Sequence, residues 1–141
     1  MIIVGGGIVG ASFAYHAHLR GVSEITQITG TLSTDKEQAT INTWGWVNGY
    51  ASNDKKYADF RLANLKYWSK LIDDIKHLTN SSKGAFFWDM DKDDLSETIA
   101  QHQSWGHSVS DVKKLKLEEY LPNLYNRPEI AGFGENDLAI E

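Results

Sequence analysis

Residues 2–21 read IIVGGGIVGASFAYHAHLRG. A short β-branched apolar run, Met1 to Val4, has the character of a buried strand. Gly5-Gly6-Gly7 then makes a tight turn, and residues 8–20 have helical character, with Gly10, Ala14 and Ala17 along one side. Gly21 stands just past the end, where a left-handed C-cap is favoured. Glu24 to Thr29 reads as a second strand, so the opening is strand, glycine turn, helix, strand: the start of a βαβ unit.

The glycines fall as Gly5-x-Gly7-x-x-Gly10, after a strand and into a helix. In a dinucleotide-binding turn the first allows the tight bend. The second lets the backbone approach a pyrophosphate, and the third lets helix and strand pack closely. The helix N-terminus presents free N–H groups and the positive end of its dipole. Such a unit also uses an acidic residue at the end of the second strand to hold the ribose hydroxyls. Here that place holds Thr29, which cannot make the charge-assisted, two-oxygen contact of a carboxylate. Asp35 and Glu37 lie nearby, past the strand end.

The chain has 141 residues, enough for one domain, or one domain and part of another. Apolar content of 41% and charged content of 23% are those of an ordinary globular protein. The net charge of −5 and the lack of any basic cluster argue against a nucleic-acid surface. The absence of cysteine excludes disulfides, thiolate metal sites and cysteine nucleophiles. No apolar run approaches the roughly 18 residues that a bilayer requires. The N-terminus lacks a basic stretch and breaks into glycine after Val4, unlike a signal peptide, so a cytoplasmic location is expected.

Residues 30–52 read as a long loop, rich in Thr, Ser, Asn, Gly and Trp. Asn53-Asp54 looks like a helix start, followed by Ala58, Leu62, Leu65, Trp68, Ile72 and Ile75 at spacings of three and four, the strongest helical signal here. Asn80 to Gly84 ends it and is the best candidate for a domain boundary. Ala85 to Met90 reads as a strand. Leu95, Ile99 and His102 mark a short helix ended by Gly106. Leu115, Leu117, Tyr120 and Leu121 mark another, closed by Pro122, and Ile130 to Phe133 reads as a strand.

Other chemistry finds little support. His16 and His18 are two apart and point in different directions on a helix. His102 and His107 straddle Gly106 and need not share a face, so exposed or locally hydrogen-bonded histidines are expected. Asp89, Asp91, Asp93 and Asp94 lack the glycine and glutamate of a calcium loop and fit a solvated turn and an acidic helix start. Trp44 and Trp46 suit either a stacking role or a core plug. No metal site is expected, and no G-x-S-x-G elbow is present.

Taken together, Gly5-Gly6-Gly7-Ile8-Val9-Gly10-Ala11, Tyr15 and RGV at 20–22 resemble the opening of FAD-dependent oxidoreductases of the D-amino-acid oxidase type. ATINTWGWVNGYA (39–51) is similar to a segment that passes near the flavin in that family, and Tyr57, Arg61, Leu62 and Trp68 resemble the helix after it. SWGHSV (104–109), EEYLPNL (118–124) and AGFGENDLAIE (131–141) resemble the start of the family's substrate domain.

The resemblance implies an α/β chain: a Rossmann-like FAD-binding βαβ start, then an incomplete α+β substrate-domain segment. Residues 1–84 would be the N-terminal part of the FAD-binding domain and 85–141 the start of a truncated substrate domain. It implies FAD as cofactor, with Gly5, Gly7, Ile8, Val9 and Gly10 at the pyrophosphate and Thr29 at the adenosine ribose. Thr40, Gly45, Trp46 and Val47 would lie near the rest of the flavin. The substrate would be a small amine or amino acid, oxidised by hydride transfer from the carbon bearing nitrogen. No catalytic residue can be carried over, because the family's usual ones come later in its sequences; the chain reads as a fragment, and alone it is expected to be inactive. An incomplete sheet would favour self-association or pairing with a second chain. Two other readings remain open: an NAD(P)-dependent dehydrogenase using the same turn, and a non-catalytic remnant or interaction module that keeps the fold without the cofactor.

Overall fold

Two short parallel strands joined by a helix open the computed structural model, which describes residues 1–30, 39–50, 54–75, 78, 80–88 and 91–140. Strand β1 (Ile2–Val4), helix α1 (Ile8–Leu19) and strand β2 (Thr26–Ile28) form the expected βαβ unit. Ile2 pairs with Thr26, Ile3 with Gln27 and Val4 with Ile28. Along α1, Gly10, Ala14 and Ala17 are less exposed than the residues between Gly10 and Ala14, as their spacing predicts. Small residues there allow the helix to lie close to the strand. Gly21 follows the helix with φ +85°, the left-handed conformation foreseen for it. These elements belong to a first compact unit, Met1–Trp44.

The second unit, Gly45–Glu141, is built on a four-stranded antiparallel sheet. In order it contains strand β3 (Trp46–Val47), helix α2 (Lys55–Asp74), strand β4 (Asn80–Phe87) and helix α3 (Lys92–Ser104). Strand β5 (Val109–Lys113), helix α4 (Lys114–Tyr120) and the long strand β6 (Ile130–Ile140) follow. Strand β6 pairs with all three others. Strand β4 runs along one of its edges, while β5 and β3 share the other, β5 beside residues 130–134 and β3 beside Leu138 and Ala139.

Side chains alternate across the sheet, and the two cores show it. Phe87 and Val109 join Tyr50, Leu95 and Ile99 on one face, beneath α3. Phe86, Val112 and Ala131 join Leu117 of α4 on the other. The helical residues Leu95, Ile99 and His102 are all buried, as their spacing anticipates. Of the α4 positions only Leu117 is buried, and Leu115 is 82% exposed.

Helix α2 starts where the sequence signals it. The carboxylate of Asp54 accepts from the backbone N–H of Lys56 at 2.6 Å and of Tyr57 at 3.4 Å. Ala58 and Leu65 face the interior. Replacing Asp54 by alanine is expected to cost about 0.5–2 kcal/mol, the worth of an N-cap, and thermal unfolding measures it. Asp91 caps α3 in the same way, accepting from Asp93 N–H at 3.0 Å, so the acidic run does begin a helix.

Three elements differ from the sequence expectations. Residues 80–84, expected to end a helix, form the first half of β4. Its pairing shifts register twice, and Gly84, at the second shift, has φ +88° with the Phe133 ring where a side chain would begin. Residues 46–47, expected within a loop, form β3. Strand β6 runs on past Phe133 through Glu135-Asn136-Asp137, whose polar character resembles a turn. Residues 31–38, with Asp35 and Glu37, and residues 51–53, 89 and 90 lie outside the described residues.

Candidate functional site

The glycine turn sits between β1 and the start of α1. Gly5 N–H donates to Ile28 O at 2.8 Å, continuing the parallel ladder by one step. Gly5 then turns with φ +120°, a conformation open to glycine and strained for other residues. The first intrahelical bond runs from Ala11 N–H to Gly7 O at 3.0 Å. The N–H groups from Gly7 to Gly10 therefore precede any partner in the helix and form its positive end.

Each glycine meets different surroundings. A Cβ on Gly10 would lie 2.1 Å from Gly5 O, so this position is closed to any side chain. A Cβ on Gly6 would lie 2.3 Å from Thr29 Oγ1. Gly5 faces open space, and Gly7 would meet only Thr40 Oγ1, at 3.0 Å. The backbone at Gly5 and Gly7 is thus bare and approachable, whereas Gly6 and Gly10 are needed for packing. An open cleft of about 520 Å³ follows this strip, lined by Val4, the three glycines, Ile28, Thr29 and Gly30.

The structure brings most of the first unit's predicted site residues together. Gly5, Gly7 and Thr29 line this cleft. Ile8, Val9 and Gly10 form the first turn of α1. Thr40 reaches the same turn, its Oγ1 accepting from Ile8 N–H at 3.0 Å. The sequence reading passed over two residues. Gly6 is required by the Thr29 side chain. Gln27 sends its Nε2 to Gly5 O at 2.8 Å and holds the turn from β2. Neither has a signature within the glycine motif itself.

This strip fits a dinucleotide pyrophosphate in its donor chemistry: N–H groups without a partner in the helix, a helix N-terminus and two glycines with nothing in front of their backbone but one threonine hydroxyl. Thr29, expected from the sequence to take the ribose, is partly buried against Gly6.

Gly45, Trp46 and Val47 belong to the second unit and open β3. Gly45 has φ +66°, and a Cβ there would lie 2.2 Å from Ile140 O. Just before β3, its backbone comes against β6, where Ile140 N–H donates to Gly45 O at 3.1 Å. Trp46 is half-buried and packs on the Tyr50–Phe87 core, while Trp44 is 84% exposed. The two tryptophans therefore divide between core and surface.

Two histidines of the second unit depart from expectation. His102 and His107 are both buried, with ring centroids 5.6 Å apart, because Gly106 at φ +87° turns the chain back after α3. His107 Nε2 faces Asp137 Oδ1 at 3.5 Å, and Asp137 has no exposed surface. No group of three or more candidate ligands that could hold a metal occurs among the described residues. Nor is any helix among them long and apolar enough to cross a membrane.

Comparison with solved structures finds the same fold. An L-amino acid deaminase from Proteus vulgaris matches with a TM-score of 0.74 and 16% identity, over 99% of this chain and 34% of that one. A glycine oxidase from Bacillus cereus matches with a TM-score of 0.75 and 14% identity, over 99% of this chain and 39% of that one. The chain thus spans little more than a third of the length of these structures. A comparison with curated protein sequences finds no match. The family model for DAO, FAD dependent oxidoreductase, matches residues 1–136. With a βαβ opening, a bare glycine strip at a helix N-terminus and a family match along nearly its whole length, the chain belongs to the DAO family of FAD-dependent oxidoreductases.

Proposed function

We propose that this chain supplies the FAD-binding start of a flavin-dependent oxidoreductase acting on a small amine or amino acid. The observation that carries the proposal is the bare backbone of Gly5 and Gly7 at the N-terminus of α1, within a family match over residues 1–136. In this Rossmann-type reading, Gly5, Gly7, Ile8, Val9 and Gly10 hold the pyrophosphate through backbone N–H groups, and Thr29 takes the adenosine ribose with one hydroxyl. Thr40 stands at the same helix end, where its hydroxyl can turn from accepting the Ile8 N–H to donating to a phosphate oxygen. Gly45, Trp46 and Val47 would lie near the rest of the flavin. A bound flavin would supply the hydride acceptor, and these residues would hold and orient it.

The same proposal assigns residues 1–84 to the FAD-binding domain and 85–141 to the start of the substrate domain, and places the protein in the cytoplasm. The names of the deaminase and the oxidase among the structural matches support the amino-acid class. Val4, Val9 and Phe13 leave much apolar surface open on the first unit. That supports self-association or a second chain covering it, and a clean monomer in sedimentation overturns this part.

Titration with FAD and with NAD, followed by visible absorption and fluorescence, tests the cofactor. Binding to FAD and not NAD is expected. Gly7→Val puts a branched side chain in front of the bare backbone and displaces Thr40. It is expected to weaken FAD by at least about tenfold, some 1.4 kcal/mol. Binding to NAD alone would favour a nicotinamide-dependent dehydrogenase. Binding to neither would leave a remnant that keeps the fold without the cofactor.

A further inference from the structure

Within the second unit, the Asn48–Gly49–Tyr50 backbone is held from three directions. Arg61 of α2 donates from Nε to Asn48 O at 3.1 Å and from Nη2 to the Asn48 side-chain oxygen. Tyr50 stacks on Phe87 with ring centroids 3.8 Å apart. Between them, Gly49 N–H donates to Asp137 Oδ1 at 3.0 Å, and the same oxygen faces His107 Nε2. The fit depends on Gly49 itself, since a Cβ there would lie 2.8 Å from His107 Nε2.

The side chains of His107 and Asp137 are 1% and 0% exposed. Among the described residues neither His107 ring nitrogen makes a hydrogen bond, and Asp137 Oδ2 has no partner. A buried polar pair so sparsely bonded is a poor source of stability; apolar residues of similar volume often do as well or better. What apolar residues cannot do is accept the Gly49 N–H and fix that backbone in one place.

We propose that Asp137 and His107 are positioning residues, which hold the Gly49 backbone and, through β3 just before it, set the orientation of Gly45, Trp46 and Val47. The link to the cofactor rests on the FAD reading above. Asp137 supplies the acceptor, and His107 keeps its carboxylate turned toward Gly49. Asp137→Asn retains an acceptor oxygen, whereas Asp137→Leu removes it and His107→Leu frees the carboxylate.

Amide hydrogen exchange of the whole chain, read at Gly49 by NMR, tests the positioning without any cofactor. Asp137→Leu and His107→Leu are each expected to lower Gly49 protection by at least about tenfold, while Asp137→Asn stays within about threefold of wild type. FAD titration of the same variants is expected to follow that order, with the flavin absorption band displaced in the two leucine variants and restored in Asp137→Asn. Should Asp137→Leu fail to fold, His107→Leu and Asp137→Asn carry the comparison. Unchanged Gly49 protection in a folded leucine variant overturns the positioning role, as does a loss in Asp137→Asn equal to that in His107→Leu. If wild type binds no FAD, the cofactor reading falls, and Gly49 exchange alone still upholds or overturns the positioning.

Discussion

Asp137→Ala is expected to be among the most damaging single substitutions in the second unit. Asp137 is wholly buried, accepts from Gly49 N–H and faces the His107 ring. Removing the carboxylate leaves the Gly49 N–H with no acceptor away from water and takes the facing charge from His107. Each buried polar group left unsatisfied costs about 1–3 kcal/mol, a large share of what a domain of this size has in hand. Urea unfolding measures the loss. His107→Ala in the Asp137→Ala background completes a double-mutant cycle, and it should cost less there than in wild type because the pair is already broken. Full additivity would mean that the two side chains do not act together.

Gly10→Ala is the second large effect, and it concerns the first unit. One methyl group placed 2.1 Å from Gly5 O has no room. The obstruction is backbone, so no rotamer change relieves it; the helix must move away from the turn. Such overpacking costs about 1–3 kcal/mol. Because it shifts the helix N-terminus, FAD affinity is expected to fall with it. Gly7→Val differs in kind: it meets only the Thr40 hydroxyl, so binding should suffer while the melting temperature changes little. Comparing the two variants by circular dichroism and by titration separates the glycine that packs from the glycine that the proposal sets against the cofactor.

The parts legible in the sequence are those that local rules determine. The β1–α1–β2 opening follows from a β-branched run, a glycine turn and a helix with small residues on one side. Helices α2 and α3 follow from apolar spacing, and the Asp54 cap from its residue type. What stayed hidden depends on pairing across long separations. The strand reading stops at Phe133 because nothing near Glu135-Asn136-Asp137 in the sequence shows that Asp137 is enclosed by Gly49 and His107. Strand β3 has two residues and exists only because Ala139 and Leu138 lie beside it. Gly6 looks like a filler between two motif glycines until Thr29 is placed against it. In the candidate site, the glycine strip was therefore readable, while the residues that brace it were not.

The position of β6 in the chain bears on how the second unit comes to be made. Strands β3, β4 and β5 all pair with β6, and all are synthesised before it. While the ribosome is still working through residues 114–129, those three strands have no ladder to join. The βαβ opening, by contrast, needs nothing beyond Ile28 for its own pairing. Assembly of the sheet must then wait for the nascent chain to release β6, and contacts between residues as far apart as Trp46 and Ala139 close slowly. During that interval the AFF segment at 85–87 and Val109 stand as unpaired apolar strand edges, the kind of surface on which chaperones act and from which misfolded aggregates grow.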